Sequence, residues 1–131
     1  MNEKLEEIIR RSSFEVIEGR FIYAKASAYP GEDIHFMVSR DNDEITVVTK
    51  AENLGKLRLI EKNKEIYALI ALHVAVPFYS VGFLAAVANA IAGRGLDILI
   101  ISTYSRDYIL VKESESGEAR TALKELGFQE K

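Results

Sequence analysis

The sequence predicts an α+β protein, with antiparallel sheets carrying helices on one face, ferredoxin-like in its second half. Three observations predict it. From Glu65 onward the apolar pattern runs strand, helix, strand, strand, helix. The first half alternates at period two over several short stretches, and only the six residues Ala28–Asp33 stand where a first long helix would lie. Val38–Val48 also aligns without gaps to Ile101–Val111, setting Ser39 on Ser102, Glu44 on Asp107 and Val48 on Val111. Because the two segments occupy the same point of each half, the chain reads as two tandem modules, residues 1–64 and 65–131, the first degenerate.

Taken in order, EKLEEIIRR (residues 3–11) places Leu5, Ile8 and Ile9 at helical spacing. Phe14–Glu18 reads as a strand, Gly19 as a turn and Arg20–Ser27 as a second strand. Pro30-Gly31 marks a loop. Ile34–Ser39 alternates, Asp41-Asn42-Asp43 supplies turn chemistry, and EITVVTK resumes, so the three form a hairpin. Asn53-Leu54-Gly55 breaks the chain before a short strand at Leu57–Glu61.

Glu65–Val76 is apolar on both faces, as a central strand should be. A helix is expected to start near Ser80, whose hydroxyl can cap the first turn. Val81, Leu84, Ala88 and Ile91 then define its inner face, while Phe83 and Val87 form a second apolar face, as in a helix that is deeply buried or meets another subunit, and this face motivates the expected oligomer. Gly93-Arg94-Gly95 ends it. Leu96–Thr103 and Asp107–Lys112 form a hairpin about Tyr104–Arg106, and Ser116–Leu126 is a helix closed by Gly127 and Phe128.

Composition narrows the function. The 131 residues are 48% apolar and 28% charged, near the globular average. There is no Cys, which removes disulfides, thiolate metal sites and Cys nucleophiles. Residues 1–64 carry 11 basic and 12 acidic groups and residues 65–131 carry 6 and 8, so neither half has the basic excess that drives nucleic-acid binding. Met1–Glu7 is acidic and polar, unlike a secretory leader. Ile66–Gly93 has no Asp, Glu, Lys or Arg over 28 residues, long enough to span a bilayer, but Pro77 divides it into a strand-like and a helix-like part.

No catalytic constellation stands out. His35 and His73 lie on separate strand-like segments with no thiol to complete a metal site. Asp41, Asp43 and Glu44 lack the glycine and distal Glu of a calcium loop. No Gly-rich phosphate loop follows a strand, since Gly93-Arg94-Gly95 closes a helix. No metal, cofactor or catalytic residue is therefore expected.

Two segments carry binding chemistry. Pro77-Phe78-Tyr79-Ser80-Val81-Gly82 leads into a helix N-terminus, whose unpaired N–H groups and partial positive charge suit a carboxylate. Gly82 permits close approach there, either of a ligand or of the packed sheet. Ser102-Thr103-Tyr104-Ser105-Arg106-Asp107 sets hydroxyls, a phenol and a carboxylate at a hairpin edge. Asp107 can receive an ammonium or guanidinium group, or the segment is simply a solvated turn.

Ser80–Phe128 resembles the second half of small tandem ACT-domain proteins. The resemblance is carried by Val81-Gly82-Phe83-Leu84-Ala85, by Gly95-Leu96 through Ser102-Thr103-Tyr104 to Asp107-Tyr108, and by Ala119 to Phe128. Gly19-Arg20-Phe21 and Phe36–Val48 extend it into the first half. The resemblance implies a pair of βαββαβ ACT modules without catalytic activity that bind an amino acid at an interface between modules. It also implies kinship to eukaryotic arginine-sensor proteins, in which a related T-aromatic-x-x-D segment holds the ligand. Carried over, the site residues are Phe78, Tyr79, Ser80, Val81, Gly82, Ser102, Thr103, Tyr104 and Asp107. Where many relatives have D-F-S this chain has Pro77-Phe78-Tyr79, and Arg106 stands where a small residue is common.

The expectation is a cytoplasmic, non-enzymatic sensor that binds a small amino-acid-like ligand and acts allosterically through a homodimeric or larger interface. It is expected to bind neither nucleic acid nor membrane. The alternative is a structural or protein-interaction module that kept the ACT fold and lost the ligand.

Overall fold

Each helix forms where apolar spacing gives it a face to bury. A computed structural model of the protein describes residues 1–75 and 81–131. The elements are α1 (Glu3–Arg10), β1 (Ser13–Ala26), β2 (Met37–Arg40), β3 (Ile45–Lys50), β4 (Leu59–Lys62), β5 (Tyr67–His73), α2 (Phe83–Ala92), β6 (Leu99–Ser102), β7 (Asp107–Lys112), α3 (Ser116–Leu126) and β8 (Gln129–Glu130). Short 3₁₀ turns follow β3 and β7.

Two compact units result. The first joins Met1–Glu18 to Ala68–Lys131, and the second is Gly19–Tyr67. The N-terminal segment thus lies with the C-terminal unit. The reason is packing. Leu5 and Ile9 of α1, with Phe14 at the start of β1, are buried in the same core as α2 and α3.

In the first unit the strand order is β8–β1–β5–β7–β6. The opening residues of β1 therefore stand between β8 and β5. Ser13 and Phe14 pair in parallel with Gln129 and Glu130, while β6 and β7 form an antiparallel hairpin, Leu99 opposite Leu110 and Ser102 opposite Asp107. Alternation on β5 turns Ala68, Ile70 and Leu72 toward the helices. Phe83, Val87 and Ile91 of α2 and Ala119, Ala122 and Leu123 of α3 complete that core. Phe128 folds back after Gly127 (φ +126°), its ring edge-on to Phe83 at 5.7 Å and to Phe14 at 6.5 Å.

The second unit is strand-rich. The later part of β1 runs between β3 and β4, with Tyr23 opposite Val48 and Ala24 opposite Lys62; β2 pairs with β3 on the outer side. Phe21, Ile22, Ala24, Val47 and Val48 are buried, and Phe21 meets Phe36 edge-on at 6.5 Å.

Several expectations change. Gly19 is no turn, since Ser13–Ala26 is one strand that passes through it at φ +126°. The strand expected at Ile34–Ser39 is shorter and later, Met37–Arg40, and that expected at Leu57–Glu61 is Leu59–Lys62. The helix start near Ser80, and its hydroxyl cap, lie outside the described residues. The described helix begins at Phe83 with Gly82 as the residue before it. Its buried face is Phe83, Val87 and Ile91, whereas Val81 is 88% exposed. The Phe83/Val87 face is thus core and is not open to another subunit.

The repeat also shifts by one. Along β3 and β7 the run of two half-buried and three buried residues is the same when Ile45 is set on Asp107, and the hairpin pairs Arg40–Ile45 and Ser102–Asp107 share that offset, so Val48 corresponds to Leu110 and not to Val111. A one-residue slip exchanges the two faces of a strand, which burial resolves and residue type alone does not.

Candidate functional site

The exit of β5, the start of α2 and the β6–β7 turn enclose a cavity of about 490 Å³, all within the first unit. Gly82, Phe83, Leu84 and Ala85 line one side, and residues 102–107 line the other.

Gly82 sets the helix side. It sits at φ +84°, in the left-handed region, so glycine is required by conformation. An added Cβ would lie 3.5 Å from Leu5 Cδ2, an ordinary contact, so close packing is not the reason. With no side chain at Gly82, nothing there caps the helix. The first helical bond runs from Ala86 N–H to the Gly82 carbonyl at 2.9 Å, which leaves the N–H groups of Phe83, Leu84 and Ala85 without an intrahelical acceptor. The aligned peptide dipoles make this end partially positive.

The hairpin side is held by its own hydrogen bonds. Thr103 donates through its N–H and its hydroxyl to the Arg106 carbonyl, at 2.8 and 3.0 Å. The Ser102 hydroxyl donates to Asp107 Oδ1 at 2.6 Å. That bond fixes one oxygen of the carboxylate and leaves the other for a partner. Tyr104 is 86% exposed. Arg106 also faces solvent, and its guanidinium has no hydrogen bond or ion pair among the described residues.

Of the residues selected from sequence, Gly82, Ser102, Thr103, Tyr104 and Asp107 line this one cavity. Val81 does not. Phe78, Tyr79 and Ser80 lie outside the described residues. Sequence reasoning passed over Val74, Leu84 and Ala85, which also line it. Leu84 and Ala85 were legible as the turn that follows Gly82; Val74 carried no signal beyond its place at the end of a strand.

Ala75, just after β5, is held by Ser12, just after α1. Buried Ser12 donates to the Ile8 carbonyl at 2.6 Å and accepts from Ala75 N–H at 2.9 Å. The histidines each have their own partner. His35 Nδ1 lies 2.9 Å from the Thr49 hydroxyl, and His73 Nε2 lies 3.2 Å from Glu15 Oε1. Among the described residues no three acidic or histidine side chains gather as a metal site, and no helix is long and apolar enough to cross a membrane.

Comparison with known proteins accords with this architecture. Residues 63–125 match the family model of the ACT domain. No curated protein sequence matches the chain. A crystal structure from Vibrio cholerae, of a protein of unknown function described as a possible transport protein, is similar with a TM-score of 0.83 at 25% identity, over 95% of this chain and 97% of that one. A protein from Agrobacterium tumefaciens is similar with a TM-score of 0.71 at 18% identity, over 92% of each chain. A putative C-terminal regulatory domain of aspartate kinase from Porphyromonas gingivalis gives a TM-score of 0.60 at 18% identity, over 90% of this chain and 98% of that one. Residues 63–125 are thus similar to the ACT domain, and the chain has the α+β ACT fold of helices against an antiparallel sheet.

Proposed function

We propose that the chain is a non-enzymatic regulatory module that binds a small amino-acid-like ligand in the cavity between the start of α2 and the β6–β7 turn. The observation that carries this reading is the juxtaposition of two complementary groups. The partially positive start of α2 suits a carboxylate on one wall, and the Asp107 carboxylate suits an ammonium on the other. The likeness to a regulatory domain of aspartate kinase favours regulation over catalysis.

Gly19–Tyr67 is the degenerate partner module in this reading. Its β2–β3 hairpin has the same four-residue turn as the β6–β7 hairpin, between Arg40 and Ile45 in one and between Ser102 and Asp107 in the other. Kinship to arginine sensors rests on Thr103, Tyr104 and Asp107 alone. Signalling runs through self-association of copies, and ligand and association are then coupled in both directions. Exposed Val81 and Ile100, not buried Phe83 and Val87, are among the apolar groups open to a second copy.

The test is a thermal-shift screen with the twenty amino acids, followed by sedimentation with and without any that act. A selective shift accompanied by a change in association supports the reading. The absence of any shift favours a module that kept the fold and lost the ligand, a reading to which the Ser102–Asp107 bond already lends some weight.

A further inference from the structure

We propose that the ligand of this cavity is an α-amino acid bearing a second anionic group, and that Arg106 is the residue that selects it. The inference rests on the reading of the cavity as an amino-acid site.

The argument is a balance of charge within one wall-to-wall space. Among the described lining residues there is one anion, Asp107, and one cation, Arg106. The N–H groups that open α2 add a second positive feature. A neutral zwitterion has one ammonium and one carboxylate. It satisfies Asp107 and one positive feature, and it leaves the other without an anion. An amino acid with an acidic side chain satisfies all three.

The geometry keeps Arg106 available for this role. Adjacent charged residues on a turn commonly neutralise one another, and here they do not. Asp107 Oδ1 is taken by the Ser102 hydroxyl at 2.6 Å, and the Arg106 guanidinium has no ion pair among the described residues. The Arg106 backbone is nevertheless fixed, because its carbonyl accepts two hydrogen bonds from Thr103. A guanidinium on a fixed backbone, beside a cavity, offers a planar fork of donors that matches a carboxylate in two parallel bonds. A basic side chain in the same place would meet like charge and be rejected.

The experiment is calorimetric titration of the full chain at constant ionic strength. L-glutamate and L-aspartate are compared with L-glutamine and L-asparagine, and with L-lysine and L-arginine. The expected result is that one acidic ligand binds roughly tenfold more tightly than its amide, the gain of one charge-assisted pair at a partly exposed site. The ratio should fall to about twofold or less in Arg106→Gln, and Arg106→Lys should restore part of it. Neutral or basic amino acids binding as tightly as acidic ones would overturn the inference and leave the site reading standing. Binding by no amino acid of any class would overturn both. An acidic preference that persists undiminished in Arg106→Gln would overturn the role given to Arg106.

Discussion

Phe83→Ala separates two readings of α2, one with this residue in the core and one with it facing another subunit. The structure buries Phe83 to 4% exposure, between Phe128 at 5.7 Å and the β5 residues of the same core. Removing a buried phenylalanine costs about 3–5 kcal/mol, because transfer free energy is lost and a cavity remains. For a chain of 131 residues the unfolding entropy is roughly 0.28 kcal/mol/K at the midpoint, so Tm should fall by about 11–18 °C. The assay is thermal unfolding by circular dichroism at two protein concentrations, with sedimentation alongside. A double-mutant cycle with Phe128→Ala should show a coupling of about 0.5–1.5 kcal/mol from the edge-on ring pair. A Tm within a few degrees of the parent, together with a change in association, would refute the packing of Phe83 against Phe128 and β5 and restore it to a subunit interface.

Other outcomes follow from single features. Gly127→Ala should destabilise more than Gly82→Ala, as urea midpoints will show. Both glycines have positive φ, but a Cβ at Gly127 would meet Ile9 Cγ2 at 3.3 Å whereas at Gly82 the nearest atom is at 3.5 Å, and the backbone term alone is about 1–3 kcal/mol. Ser12→Ala should cost about 0.5–1.5 kcal/mol by the same measurement, because the buried hydroxyl loses its bonds to the Ile8 carbonyl and the Ala75 N–H. Hydrogen bonds from Arg120 at 2.8 and 3.0 Å, against a smaller opposing effect of burial, hold the Glu130 carboxyl below its ordinary pKa, with Lys124 contributing. A carboxyl depressed in the folded state stabilises above its unfolded pKa, and that contribution is lost as pH falls through the folded value. Glu130→Gln should therefore be less stable than the parent at neutral pH, and the two should converge as acidification protonates the Glu130 carboxyl of the folded state.

Much of the architecture was legible because hydrophobic period and turn chemistry agreed. Leu5, Ile8 and Ile9 announced α1, and Gly127 with Phe128 announced the end of α3. The phase of α2 was not legible. Its stretch is apolar all round, so Val81, Leu84, Ala88 and Ile91 fit a helix as well as Phe83, Val87 and Ile91 do. Only the left-handed Gly82, which begins the helix later, and the sheet beneath it decide the face. Membership of Met1–Glu18 in the C-terminal unit was equally hidden, since a strand's pairing partners are set by tertiary contacts and β1 carries no mark of β5 or β8. The site segments were legible as chemistry, a helix start and a polar hairpin; their meeting around one cavity is a property of the fold. By sequence Arg106 is a neighbour able to close on Asp107, and in the structure the Ser102 hydroxyl stands there instead.

The measurement that bears most directly on the central claim is the ligand-induced thermal shift of the parent chain against Asp107→Ala. An amino acid present at 100 times its Kd should add about 2.7 kcal/mol, which raises Tm by about 10 °C for a chain of this size. The account predicts that shift in the parent and its loss in Asp107→Ala, whose own Tm without ligand should stay within a few degrees because the side chain lies at a solvated turn. A shift of equal size in both proteins would contradict the placement of the ligand between α2 and the β6–β7 turn.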